Sequence, residues 1–186
     1  VDTMSLTAHK FYGLNGIGLL LKRRNLALEP LIHGGESTTI YRSGTPTVAL
    51  ASSLACALEL AVNGLPQRAE TVRALNAELR AALARYPDVR INSPETAIPH
   101  VLNLSVRNVK GTVFQRELDA QGVCVSVKSA CSSDGLPSRA VFAVSRDRRN
   151  ALSSWRISLS HLTTEEELHG FLDAFDLCIH QLTATH

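Results

Sequence analysis

No two of the four cysteines, Cys56, Cys124, Cys131 and Cys178, share a paired spacing, which argues against a disulfide framework and against a zinc site. Cys56, Cys124 and Cys178 lie among apolar residues and read as core filler. Charge of one sign is lacking too. Lysine plus arginine total 19 against 17 for aspartate plus glutamate, a formal net charge of +2, too small a surplus for an electrostatic claim on nucleic acid or an anionic membrane. The short basic run Arg146-Asp147-Arg148-Arg149 reads as a solvated loop. No uninterrupted apolar stretch approaches the roughly 20 residues that span a bilayer, and the first residues lack the charged-then-apolar pattern of a signal. The chain therefore reads as soluble and cytoplasmic, with neither nucleic acid nor membrane as a partner. It has no internal repeat and no low-complexity segment. At 186 residues, 45% apolar and 19% charged, it can bury a real core as one domain or two small ones.

What is present is one thiol in a polar setting. Val123, Val125 and Val127 alternate as in a strand and run into Ser126-Val127-Lys128-Ser129-Ala130-Cys131-Ser132-Ser133-Asp134-Gly135. Nothing around Cys131 looks able to bury it, and the charge of Lys128 favours a thiolate. Such a residue is either an idle surface thiol or a nucleophile.

The chain opens with Val1-Asp2-Thr3-Met4-Ser5-Leu6, which reads as a strand entered from an element not present and suggests a fragment. Thr7-Ala8-His9-Lys10 follows, then Gly13, Asn15, Gly16 and Gly18 before the apolar run Leu19-Leu20-Leu21: a turn whose backbone can pass close to something. Lys10 sits at the strand end facing that turn. Most lysines are solvated surface groups, but one whose surroundings hold an aldehyde cofactor against it becomes an imine-forming nucleophile. His9 and the Thr7 hydroxyl suit that cofactor's phosphate. A second loop, His33-Gly34-Gly35 through Arg42-Ser43-Gly44-Thr45-Pro46, joins glycine amides, hydroxyls and an arginine, donors suited to phosphate oxygens.

From Val48 to Val62 apolar residues recur on a broad helical face, a buried helix that Asn63-Gly64 stops, with a lobe boundary near Gly64. Pro66 starts another helix with the narrower stripe Val72, Leu75, Leu79 and Leu83, ended by Pro87. Residues 89–91 and 100–106 alternate as strands. Thr112 and Gln115 have capping-box spacing for a helix that ends at Gly122. Residues 123–127 read as the strand that delivers Cys131, and Pro137 opens a short helix with Val141, Phe142 and Val144 toward the core. Residues 153–160 alternate again, with Trp155, Ile157 and Leu159 on one side and Arg156 and Ser158 on the other. Arg156 is thus held on a sheet face, either simply solvated or set as a two-pronged clamp for a carboxylate. Thr163-Thr164-Glu165-Glu166-Glu167 starts a last helix with the stripe Leu168, Phe171, Leu172, Phe175 and Ile179.

Four ordered stretches together resemble the cysteine desulfurases, pyridoxal-phosphate enzymes of the NifS/IscS-like group within the class V aminotransferase family. Thr7-Ala8-His9-Lys10 with Gly16-Ile17-Gly18 resembles the lysine motif, and His33-Gly34-Gly35 through Arg42-Ser43-Gly44-Thr45 the inter-subunit phosphate loop. Ser129-Ala130-Cys131 resembles the catalytic-cysteine motif, and Ser154-Trp155-Arg156-Ile157-Ser158-Leu159 the substrate-carboxylate strand. The resemblance implies an α/β chain with an α+β small domain, fold-type-I and aminotransferase-like. Residues 1–64 would be the remnant of a truncated large cofactor-binding domain with its connecting helix, and residues 65–186 a complete carboxyl-terminal small domain carrying the cysteine loop.

It further implies that Lys10 holds pyridoxal 5'-phosphate and moves protons, and that Thr7 and His9 bind its phosphate. Arg42 and Thr45 would reach the phosphate of a neighbouring subunit's cofactor, hence a homodimer. Arg156 would pair with the carboxylate of L-cysteine, and Cys131 would take its sulfur as a persulfide for an acceptor or scaffold protein in iron-sulfur or thio-cofactor assembly. The family's cofactor-stacking histidine and pyridine-pairing aspartate lie upstream of Val1. The expectation is therefore a carboxyl-terminal portion that needs the missing amino-terminal segment and turns over little alone. Alternatives are a selenocysteine lyase, another class V aminotransferase, or a non-catalytic scaffold for sulfur transfer.

Overall fold

A hairpin opens the chain, because two extended apolar runs flank a segment rich in glycine. Strand β1 (Thr3–Thr7) pairs antiparallel with β2 (Gly18–Lys22), Thr7 opposite Gly18. This is a computed structural model that describes residues 1–35, 39–127 and 136–183. The chain divides into two units, Val1–Pro66 and Gln67–His186.

In the first unit, β1 runs into a single 3-10 turn, Ala8–Lys10, whose Ala8 is fully buried. The connection to β2 needs glycine twice. Gly16 lies at φ 97°, a left-handed conformation. A Cβ on Gly13 would come within 2.8 Å of Ala8 Cβ and 3.1 Å of Ala57 Cβ, so only a bare backbone lets the turn approach helix α1 (Val48–Asn63). The expected burial of that helix is not observed: only Leu54 and Ala57 are buried, while Val48, Leu60 and Val62 are exposed. A broad apolar face signals burial only where something covers it, and in this chain α1 packs one narrow strip against the turn.

The second unit is built on a three-stranded antiparallel sheet, β3 (Val89–Ile91), β4 (Val101–Val106) and β5 (Ser154–Ser158), in the order β3-β4-β5. Alternation divides it cleanly. Leu102, Leu104, Val106, Trp155 and Ile157 are buried on one face under three helices: α2 (Leu65–Leu83), α3 (Gly111–Ala120) and α6 (Glu165–Thr183). The stripe Val72, Leu75, Leu79 and Leu83 of α2 is wholly in this core, as its spacing predicts. Phe114 of α3 stacks on Trp155 at 5.1 Å and meets Phe175 of α6 at 5.2 Å. Burying two such rings contributes several kcal/mol, on the order of 1.5–3 kcal/mol per side chain plus ring contact terms. Helix α6 starts with the expected capping box: Thr164 N–H donates to Glu167 Oε2 (2.9 Å) and Glu167 N–H to Thr164 Oγ1 (3.1 Å).

Several expectations are not met in the structure. Helix α4 (Arg139–Ser145) buries none of its residues, and Val144 is 86% exposed. Cys178 is buried, but Cys56 and Cys124 are exposed rather than core filler. The basic run is a helix junction rather than a loop: Arg146 takes the left-handed C-cap of α4, and Asp147 caps α5 (Arg148–Ser153) by accepting from Asn150 N–H at 3.0 Å. Residues 123–127 form no ladder, only an isolated bridge of Ser126 to Arg156. Thr112 and Gln115 form no capping box, since Lys110 is the N-cap of α3 and no side chain bonds there.

Candidate functional site

The first group of predicted site residues is assembled by the end of β1. Thr7, His9 and Lys10 share one turn, and Thr7 Oγ1 lies 3.0 Å from His9 Nδ1 and 3.4 Å from Ile17 O. If the hydroxyl proton goes to Ile17 O, His9 Nδ1–H donates to Thr7 Oγ1, and Nε2 is left for another partner. The two lysines of this unit are in contrasting states. Lys22 Nζ donates to Leu26 O at 2.8 Å and to Arg23 O at 3.1 Å, and lies 5.2 Å from the centre of the Tyr41 ring. The Lys10 amine is exposed and bonds to no described residue. Of these two amines only the one beside Thr7 and His9 is available for chemistry.

The second predicted loop is pinned at its base. Ser43 Oγ donates to His33 O (2.9 Å) and Ser43 N–H to Ile32 O (3.3 Å), while Gly44 takes φ 112°. Arg42 and Thr45 are exposed there and bond to no described residue. Residues Glu36, Ser37 and Thr38 lie outside the described residues.

In the second unit Arg156 is on β5, directly opposite Asn103 of β4 and on the polar face of the sheet. Its Nε is buried with no hydrogen-bond partner among the described residues. A guanidinium fixed to a rigid strand with an unspent donor fits a planar two-oxygen anion. Beside it runs a polar ladder that strand alternation could have signalled but the sequence reading missed. Asn92 Nδ2 donates to Asn103 Oδ1 (2.9 Å) and Ser105 Oγ (2.8 Å), and Asn150 Nδ2 donates to Asn92 Oδ1 (2.9 Å). These bonds brace β3, β4 and α5 behind the arginine.

Cys131 and the Lys128 beside it lie outside the described residues. The stem that leads to them is held twice. Ser126 exchanges both backbone bonds with Arg156, N–H to O at 3.1 Å and O from N–H at 2.7 Å, and Gln115 Nε2 donates to Val125 O at 2.9 Å. Gln115 thus serves the stem instead of capping its own helix. Among the described residues no group of three or more His, Cys, Asp or Glu could hold a metal ion, and no single helix is long and apolar enough to cross a membrane.

The first unit thus presents the exposed Lys10 beside the Thr7–His9 pair, and the second presents Arg156 on a strand with a buried Nε that has no partner among the described residues. The chain belongs to the aminotransferase class-V family, whose family model matches residues 1–171. It is 37% identical over 185 residues to "Cysteine desulfurase IscS" of Dictyoglomus turgidum, covering 98% of this chain and 47% of that protein. Over 177 residues it is 35% identical to "IscS-like cysteine desulfurase" of Mycobacterium tuberculosis, covering 93% and 45%. A solved "NIFS-like protein" superposes with a TM-score of 0.85 at 33% identity, over 96% of this chain and 46% of that one. A NifS-like protein from Rickettsia africae does so with a TM-score of 0.85 at 26% identity, over 96% and 48%. The fold is thus that of the NifS-like fold-type-I proteins, and the chain spans about half the length of the curated relatives it matches.

Proposed function

We propose that this chain carries the sulfur-handling half of a cysteine desulfurase dependent on pyridoxal 5'-phosphate, working as a cytoplasmic homodimer. Lys10 holds the cofactor, Thr7 and His9 bind its phosphate, and Arg42 and Thr45 reach the phosphate in the partner subunit. When bound, the cofactor supplies an electron sink for the substrate's carbon atoms. Arg156 would clamp the carboxylate of L-cysteine, and the Lys10 amine would carry protons between substrate carbons. The Cys131 thiolate attacks the substrate sulfur: an S–S bond forms as the C–S bond breaks, and the electron pair stays with carbon. That carbon takes a proton from Lys10, alanine leaves, and a persulfide on Cys131 passes to an acceptor or scaffold protein. Groups that grip the cofactor ring would come from the amino-terminal half of the relatives that this chain does not span.

The observation that supports this reading is the free Lys10 amine beside the Thr7–His9 pair, while Lys22 is tied to carbonyls. Pyridoxal phosphate added to the chain, followed by borohydride reduction and peptide mass spectrometry, should mark Lys10 ahead of Lys22 and Lys110. Equal labelling of all three would remove the proposed role of Lys10.

A further inference from the structure

The polar face of the three-stranded sheet carries a row of side chains that leads to Arg156. Asn103 and Arg156 are register partners across β4 and β5, and their main chains bond away from each other. Asn103 N–H donates to Ser93 Oγ (2.9 Å) and Asn103 O accepts from Asn92 N–H (2.8 Å), while both backbone groups of Arg156 are engaged by Ser126. The two therefore form a non-hydrogen-bonded pair, the kind in which antiparallel side chains stand closest, with Cβ atoms about 4.5–5.5 Å apart. An asparagine so placed has an oxygen that a guanidinium can use. Here that bond is not made: Arg156 Nε is buried and has no partner among the described residues.

The reason lies in the direction of the hydrogen bonds on the other side of Asn103. Asn150 O is a main-chain carbonyl and can only accept, so the Ser105 hydroxyl gives its one proton to it (3.0 Å). Ser105 Oγ is then left to accept, and Asn92 turns its NH2 edge to it (2.8 Å). The same Asn92 nitrogen donates to Asn103 Oδ1 (2.9 Å), and Asn92 Oδ1 is held from behind by Asn150 Nδ2 (2.9 Å). Reversing the Asn92 amide would set oxygen against oxygen at Asn103 and nitrogen against nitrogen at Asn150. A carbonyl that cannot be reversed thus decides, through Ser105 and Asn92, that Asn103 gives its oxygen to β3 and not to Arg156.

We propose that Asn92 is a positioning residue for the arginine that binds the substrate carboxylate. By holding Asn103 Oδ1 it keeps the neighbouring guanidinium free of an internal acceptor, so that Arg156 meets the carboxylate with its donors available. A donor engaged by Asn103 would first have to be released, and a carboxylate takes two parallel N–H bonds from one fork. This rests on the reading of Arg156 as the carboxylate clamp, whereas the hold on Asn103 is a property of the sheet that is measurable with no ligand present.

The test follows the Arg156 Nε–H resonance of the chain by NMR, assigned through its loss in Arg156→Lys. In Asn92→Ala the Asn103 carboxamide is free to turn its oxygen to Arg156, and the Nε–H should move downfield and exchange more slowly with water. Adding Asn103→Ala removes that oxygen and should bring the resonance back, a repair that a second truncation could not make if Asn92 served packing alone. Asn92→Asp keeps the shape of the side chain but has no donor for Asn103 Oδ1. It should give the same downfield shift, and it serves should Asn92→Ala fail to fold. Titration with propionate, followed at the same resonance, should be weakened about fivefold by Asn92→Ala, about 1 kcal/mol, and regain its strength in the double variant. An Nε–H unmoved by either Asn92 substitution, or a shift that persists in the double variant, would overturn the proposal. Propionate that leaves the parent's Arg156 resonance untouched would remove the clamp and the carboxylate as its ligand, whereas the ligand-free shifts alone decide whether Asn92 holds Asn103 away from Arg156.

Discussion

Replacing Arg156 by methionine should stabilise the chain. The Nε of Arg156 is buried without a partner among the described residues, and an unsatisfied buried donor costs about 1–3 kcal/mol. Methionine keeps the alkyl stem that packs on the sheet but carries no donor and no charge. The backbone bonds to Ser126, at 3.1 and 2.7 Å, are independent of the side chain and survive. Against the gain stands the loss of the solvated fork, so a net stabilisation of about 1 kcal/mol is expected. In a protein of this size that raises the melting temperature by roughly 2–4 °C. Thermal unfolding followed by circular dichroism reads the shift directly, and Arg156→Lys, which keeps charge without the fork, serves as the comparison. The physical content is that the fold gains nothing from this arginine, whose Nε has no partner among the described residues. A loss of more than about 1 kcal/mol in the methionine variant would refute that, because the guanidinium would then be structural.

Three further outcomes follow from the same coordinates. Phe114→Ala removes the ring stacked on Trp155 and touching Phe175 and should cost about 3–5 kcal/mol, read by denaturant unfolding with the single tryptophan as reporter. Glu167→Ala breaks one half of the α6 capping box and should cost about 1 kcal/mol, while Glu165→Ala, whose side chain makes no such bond, should cost less. The Tyr86 phenol is pushed above its ordinary value, first by burial and then by its hydrogen bond to Asp176. A group that holds its proton more tightly folded than unfolded contributes stability below the unfolded value, near pH 10, and loses it as pH rises through the folded one. Ultraviolet titration should therefore show a phenol titrating above its free counterpart, and Asp176→Asn should bring it part of the way back.

Where one residue's neighbours in sequence are also its neighbours in space, the structure mostly agrees with what the sequence predicts. The stripe of α2, the capping box Thr164–Glu167 and the two faces of β5 are set by spacing within a few residues, so periodicity exposes them. The turn Thr7–Lys10 is legible for that reason as well. All but one of the differences are non-local. Gln115 has the spacing of a cap but spends its amide on Val125 O, a partner no local pattern announces. The face of α1 looks like a core stripe, yet Val48 and Val62 are exposed because their fate depends on what lies over them. The local exception is Asp147, which has the chemistry of an N-cap but opens a helix of only six residues, too short for any period to show in the sequence.

The order of the lysine, phosphate-loop, cysteine and arginine motifs, and with it the family, is therefore a property of the amino-acid sequence alone. Register belongs to the tertiary structure. Only the pairing of β4 with β5 sets Asn103 opposite Arg156, and only the bridge at Ser126 ties the root of the cysteine segment to that same arginine. The physical reason is that a strand's alternation fixes which side a residue faces but not which residue stands beside it. That neighbour is chosen by hydrogen bonds between segments some 30 to 50 residues apart, as Ser126 with Arg156 and Asn103 with Arg156 are.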